Sequence, residues 1–110
     1  MAFDAALADR VRVVLARRRG LAERKMFGGI AFLAGGHMFC GVNGEDLVVR
    51  VGPDGWADAL ARRHVRPMDF TGKPLTGYVY VAPAGVRHAA ALKAWVDRGL
   101  AFARTLPPKG

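Results

Sequence analysis

His37 and Cys40, three residues apart, are the pair in this 110-residue chain whose types invite metal or thiol chemistry. In a regular strand, residues three apart point to opposite faces, so the pair is not expected to share a metal. His64 and His88 stand in other segments with no second Cys or His at ligand spacing. A nucleophilic thiol would need an oriented base and donors for an oxyanion, and nothing local around Cys40 supplies them. A lone strand cysteine is ordinarily a small buried hydrophobe, which is the preferred reading. Gly72-Lys73 superficially suits a phosphate loop, but that loop needs glycine five residues before the pair and Ser or Thr after it. Pro67 and Pro74 stand there instead. Gly28-Gly29 precedes more strand rather than a helix, so no helix N-terminus awaits a pyrophosphate. Glu45-Asp46 and Asp54 with Asp58 read as turn and cap residues. Asp69, between Met68 and Phe70, is the only acid inside a strand pattern and is expected to pair with a nearby arginine. No catalytic, cofactor-binding or metal-ligating residue is assigned, and no cofactor is expected. The expectation is binding rather than catalysis.

Charge gives the one positive candidate. The chain carries a formal net charge of +8 and a pI of about 10.8. Seven basic residues fall between Arg10 and Lys25 against one acid, Glu23, whereas 45–58 has four acids against Arg50. Arg17, Arg18, Arg19, Arg24 and Lys25 are therefore the candidate contacts for a protein partner or a nucleic acid. The plainer reading of the arginine triplet is helix C-terminal electrostatics and solubility. For nucleic acid there is charge without a reader: no helix-turn-helix spacing, no zinc knuckle, and no RNA-recognition signature. Phe27, Phe32, Phe39, Tyr78 and Tyr80 fall on predicted strands, where a core role is favoured over base stacking.

The elements that must position these residues follow from apolar periodicity. Leu7, Val11, Val14 and Leu15 make one helical stripe, with Gly20 after the arginine triplet as its stop. Strands are predicted over 26–33 and 38–42, joined by Ala34-Gly35-Gly36-His37, and over 47–51 after an Asn43-Gly44 turn. Connections this short require antiparallel pairs. Gly52-Pro53-Asp54 opens a second helix with Trp56, Ala57, Leu60 and Ala61 on its buried side. Two more strands, over 66–71 and 77–82, flank a turn at 72–76. A last helix runs from about Val86 to Leu106, with Leu92, Val96, Gly99, Leu100 and Ala103 inward. The predicted order is α-β-β-β-α-β-β-α, an α+β fold with a five-stranded antiparallel sheet against helices on one face.

Size and composition fit a single domain over 1–110: hydrophobic residues are 52% and charged residues 24%. One cysteine allows no internal disulfide and favours the cytoplasm. Asp4 and Asp9 oppose a signal peptide. The uncharged stretch 26–42 is broken by five glycines, so no membrane span is expected.

Several motifs in order carry a family likeness. Lys25-Met26-Phe27-Gly28-Gly29, Cys40-Gly41-Val42, Val49-Arg50-Val51-Gly52-Pro53, and the run from Arg66 to Pro74 resemble the TfoX/Sxy N-terminal domain, as do Gly77 to Val81 and Ala94-Trp95-Val96. The resemblance implies an α+β, secretion-chaperone-like two-layer fold. It implies a non-catalytic regulatory or protein-binding module, linked to transcriptional or competence regulation. Full-length members act with the cyclic-AMP receptor protein and carry a helical C-terminal domain, so a stand-alone N-terminal domain is expected here. A protein partner or homodimer is the leading expectation. Weak electrostatic nucleic-acid binding is the alternative, and no small-molecule substrate is expected.

Overall fold

A computed structural model describes residues 3–26, 28–69 and 72–108. Within them α1 (Ala5–Leu15) precedes β1 (Leu21–Met26), β2 (Gly29–Ala34), β3 (His37–Asn43) and β4 (Asp46–Arg50). Then come α2 (Trp56–Leu60), β5 (Val65–Asp69), β6 (Pro74–Val81), a 3-10 turn at Pro83–Val86, and α3 (Ala89–Ala103). Every strand pair is antiparallel and the order across the sheet is β1-β2-β3-β4-β6-β5. The α+β class and the antiparallel sheet are as expected, but the sheet has six strands rather than five.

The additional strand is β1. Its sequence, Leu-Ala-Glu-Arg-Lys-Met, has no apolar alternation because it is an edge strand, exposed or half-exposed at every position. Three consecutive charges on an open edge also discourage pairing with another sheet. β1 turns directly into β2, with Met26 opposite Gly29 and Gly28 at φ +76°. The single strand expected over 26–33 is thus the end of one strand and most of the next; Phe27 itself lies outside the described residues.

The next hairpin follows expectation. Gly35 and Gly36 both have positive φ, 57° and 83°, which a tight turn between right-twisted strands demands. Immediately beyond it, a bulge between Phe32 and Leu33 sets Cys40 opposite Phe32 but Met38 opposite Leu33, leaving Phe39 as the extra residue. Phe39 and Cys40 are consequently both in the core.

Helix boundaries differ from expectation in three places. α1 ends at Leu15, so Arg17, Arg18 and Arg19 lie in the turn after it rather than in its last coil. α2 is only five residues long, and its buried residue is Ala59, with Trp56 and Leu60 half-buried. Ala57 and Ala61, expected inside, are exposed, because so short a helix touches the sheet chiefly at the β5–β6 edge. α3 begins at Ala89, after the 3-10 turn, and its expected inward stripe is buried throughout.

α1 and α3 share one core with one face of the sheet. Alternating residues Ile30, Phe32 and Ala34 of β2, Leu47 and Val49 of β4, and Val79 and Val81 of β6 pack with Leu7, Val11, Leu92, Val96 and Leu100. Each large side chain so buried contributes roughly 1.5–3 kcal/mol. Among the described residues no helix is long and apolar enough to cross a membrane.

α3 docks on the sheet through Gly99. A Cβ built there would collide with the Phe39 carbonyl oxygen and crowd the Val49 side chain. Ala is otherwise the better helix residue by nearly 1 kcal/mol, so the sign of the substitution is diagnostic. Gly99→Ala is expected to destabilise the domain by about 1–3 kcal/mol, read as a lower urea midpoint; an unchanged or raised midpoint would contradict this close docking.

Candidate binding surfaces

The five basic candidates do not form one patch. Arg17 and Arg19 are exposed in the α1–β1 turn. Arg18 is half-buried and makes an ion pair with Asp97 of α3 at 2.8 Å, which also accepts a 2.6 Å hydrogen bond from Lys93. Asp97 Oδ1 is otherwise buried without a hydrogen-bond partner, so the Arg18 contact is a charge pairing outside hydrogen-bond geometry. Burial pushes the Asp97 carboxyl upward, but Lys93 and Arg18 together outweigh it and hold the group below its ordinary value. Arg18 therefore serves the fold. On β1, strand alternation separates the remaining two: Lys25, opposite Ile30, faces the helix side, and Arg24, opposite Ala31, faces the other.

The thiol and histidine are also placed apart in environment, though not by the expected geometry. The Phe39 bulge restores His37 and Cys40 to the same side of the strand, so the alternation argument against them fails. What separates them is burial. Cys40 is fully inside the core, where desolvation pushes its thiol far above the usual range. His37 sits at the strand end with Nε2 2.7 Å from the Pro107 carbonyl oxygen. Among the described residues no group of three or more His, Cys, Asp or Glu could hold a metal ion. Among the described residues Asp69 makes no ion pair with an arginine. Its Oδ1 accepts the Gly72 N–H at 2.8 Å and closes the β5–β6 turn, while Arg66 pairs with Asp46 at 2.7 Å.

A hollow of about 290 Å³ lies between the end of α1 and β1, beside Leu15, Leu21 and Phe32. Its charges are already matched. Arg12 makes a two-pronged pair with Glu23, both bonds 2.8 Å, and a 2.6 Å bond to Asp9. Glu23 is held below its ordinary pKa chiefly by that hydrogen bond.

The face of the sheet away from α1 and α3 is different. Ala31, Leu33, Val48 and Met68 are buried there, yet they lie outside the main core. The β5–β6 hairpin brings Met68 over this face and leaves a groove of about 240 Å³, lined by Met26, Leu33, Met38, Met68, Leu75 and Tyr78. Arg24, Arg50 and Gly36 complete its lining. Three of the chain's four methionines meet here. Leu75, 39% exposed, is one of two large hydrophobics open to water among the described residues. Tyr78 and Tyr80, expected in the core, are half-buried on this second face, stacked under Arg50 at 5.4 Å and Arg66 at 4.6 Å.

The sequence model of the TfoX N-terminal domain matches residues 14–103. The chain belongs to that family. No curated protein and no solved structure matches it. The matched TfoX N-terminal region contains every described strand, α2 and the whole of α3 but only the last two residues of α1, and the family is not a known enzyme family. Within this TfoX domain, the motif Val49-Arg50-Val51-Gly52 does more than turn the chain. Gly52, at φ +85°, leaves the space in which the Phe102 ring lies. That ring and Tyr78 flank the Arg50 guanidinium, each 5.4 Å away.

Sequence reasoning missed the groove. Its available signal was the unbroken apolar run of β2, buried at all six positions, which marks a strand covered on both faces.

Two outcomes check these placements. Asp97→Asn is expected to cost about 0.5–1 kcal/mol at pH 7 by urea denaturation. Because the folded carboxyl titrates below its unfolded value, that contribution is present above about pH 4 and fades below it, so parent and variant converge in acid. Cys40 should resist a disulfide-exchange thiol reagent at pH 8 in the native protein and react fully in urea; rapid native labelling would contradict its burial.

Proposed function

We propose that this TfoX-type domain is a protein-binding regulatory module that uses the helix-free face of its sheet. The groove carries the reading: apolar, solvent-open, and bordered by an exposed leucine and two arginines. Met-rich linings suit surfaces that adapt to a partner, because an unbranched thioether repacks at low cost. The regulatory role in transcription or competence rests on the family alone and is part of the same proposal.

Exposure of Arg17 and Arg19 favours one second reading, electrostatic nucleic-acid binding through the α1–β1 turn. With Arg18 paired to Asp97, two or three phosphate contacts are available there, for a slope of log affinity on log salt of about −2 to −3.

Capture from nuclease-treated cytoplasm separates the two. The immobilised parent and an Arg17→Ala/Arg19→Ala variant should retain the same protein at high salt, and a Leu75→Glu variant should lose it. A parent that is strictly monomeric by ultracentrifugation and retains no protein would overturn the module reading. Duplex DNA binding that disappears only in the Arg17/Arg19 variant would favour the second.

A further inference from the structure

We infer that the groove on the helix-free face binds an acidic peptide segment of a partner protein, seating an apolar side chain among the methionines and a carboxylate on Arg50. The inference rests on the protein-binding reading above and names the chemistry of the partner.

Two stacked arginines on this face differ in what they leave available. Arg66 lies over Tyr80 and also donates to Asp46 at 2.7 Å, so its charge is matched. Arg50 is held between Tyr78 and Phe102 without an acid: among the described residues, no carboxylate pairs with it. Stacking fixes the plane of a guanidinium while leaving its edge N–H donors open to a carboxylate fork. Arg24 borders the same groove, also without an acid partner among the described residues, and no described acid lines it. An occupant with negative charge therefore meets two unopposed cations, whereas a second copy of this chain, net +8, would bring more cations to them. The apolar floor supplies the other half of the recognition. Leu33 and Met68 form its buried base, Met26 and Met38 its adaptable walls, and Leu75 its exposed lip. At about 240 Å³ the groove is smaller than a drug-sized ligand site, and suits one anchoring side chain rather than a whole cofactor.

The test is a titration of methyl-¹³C-methionine protein by NMR at low salt. The probe is the peptide acetyl-Leu-Asp-Leu-Leu-Glu-amide, with its Asn/Gln analogue as neutral control. Saturable shifts of the Met26, Met38 and Met68 methyls are expected, with the neutral peptide at least about tenfold weaker. Arg50→Gln should bring the acidic peptide down to the neutral one's affinity, and Leu75→Ala, at an exposed position that spares the fold, should weaken both peptides. Equal affinity for the two peptides, no saturable shift, or full affinity in Arg50→Gln would overturn the inference. So would methyl shifts that follow protein concentration without peptide, which would assign the groove to a second copy. If cytoplasmic capture succeeds and depends on Leu75 while the acidic peptide fails here, the protein-binding reading stands and this partner chemistry falls.

Discussion

β2 is apolar and buried on both of its faces, and a strand of that kind needs a cover on each side. On one side α1 and α3 supply it, locked down by the approach of Gly99 to the Phe39 carbonyl. On the other side there is no helix among the described residues. The cover is the β5–β6 hairpin, which lays Met68 across Ala31, Leu33 and Val48 and stops short of closing over Met26 and Met38. The unequal covers leave the two faces with different surfaces. On the helix-covered face the open hollow is ringed by charges already paired, whereas the thinly covered face leaves apolar surface beside unpaired cations.

Charge follows a similar division. Asp9, Glu23, Asp46, Asp58 and Asp97 are all engaged in ion pairs with arginines or Lys93. Asp4 caps α1, and Asp69 closes its turn. With seven of nine acids already engaged by groups of the same chain, the excess of cations has few internal partners left. The +8 balance is therefore a property of the surface, and it is felt at separate places: the α1–β1 turn, the β1 edge and the groove. A net charge of this size disfavours self-association and favours acidic partners.

The sequence made the fold legible wherever burial followed a period. The α3 stripe, the Tyr78–Val81 alternation and the Gly35-Gly36 turn each carry a local rule that tertiary structure did not override. β1 was illegible because an edge strand exposed on both faces has no hydrophobic pattern to read, and its charges joined those of the preceding turn. The Phe39 bulge could not be read either. One inserted residue inverts alternation downstream, which undid the geometric argument about His37 and Cys40 while leaving Cys40 as buried as expected. For the candidate surfaces, the arginine run was visible but its division among Asp97, the two faces of β1 and solvent depends on pairings far apart in the chain. The groove was invisible for the same reason: Met26, Met38 and Met68 come from three different strands, and only the strand order brings them together.

Each unusual feature of the helix-free face is ordinary taken singly. An exposed leucine, a cation without an acid, and a cluster of flexible thioethers all occur on surfaces with no role. Here they coincide within one depression, which is where a sequence that otherwise satisfies its local rules departs from them. The hollow by α1 shows that size alone does not mark such a place. It is larger, at about 290 Å³, yet Arg12 is matched by Asp9 and Glu23, and Arg18 by Asp97, so a ligand would have to break existing pairs to enter. In the groove nothing has to be broken. The arginine is already oriented by its rings, the methionines can rearrange without exposing polar atoms, and the free energy of burial there is still unrealised in the isolated chain.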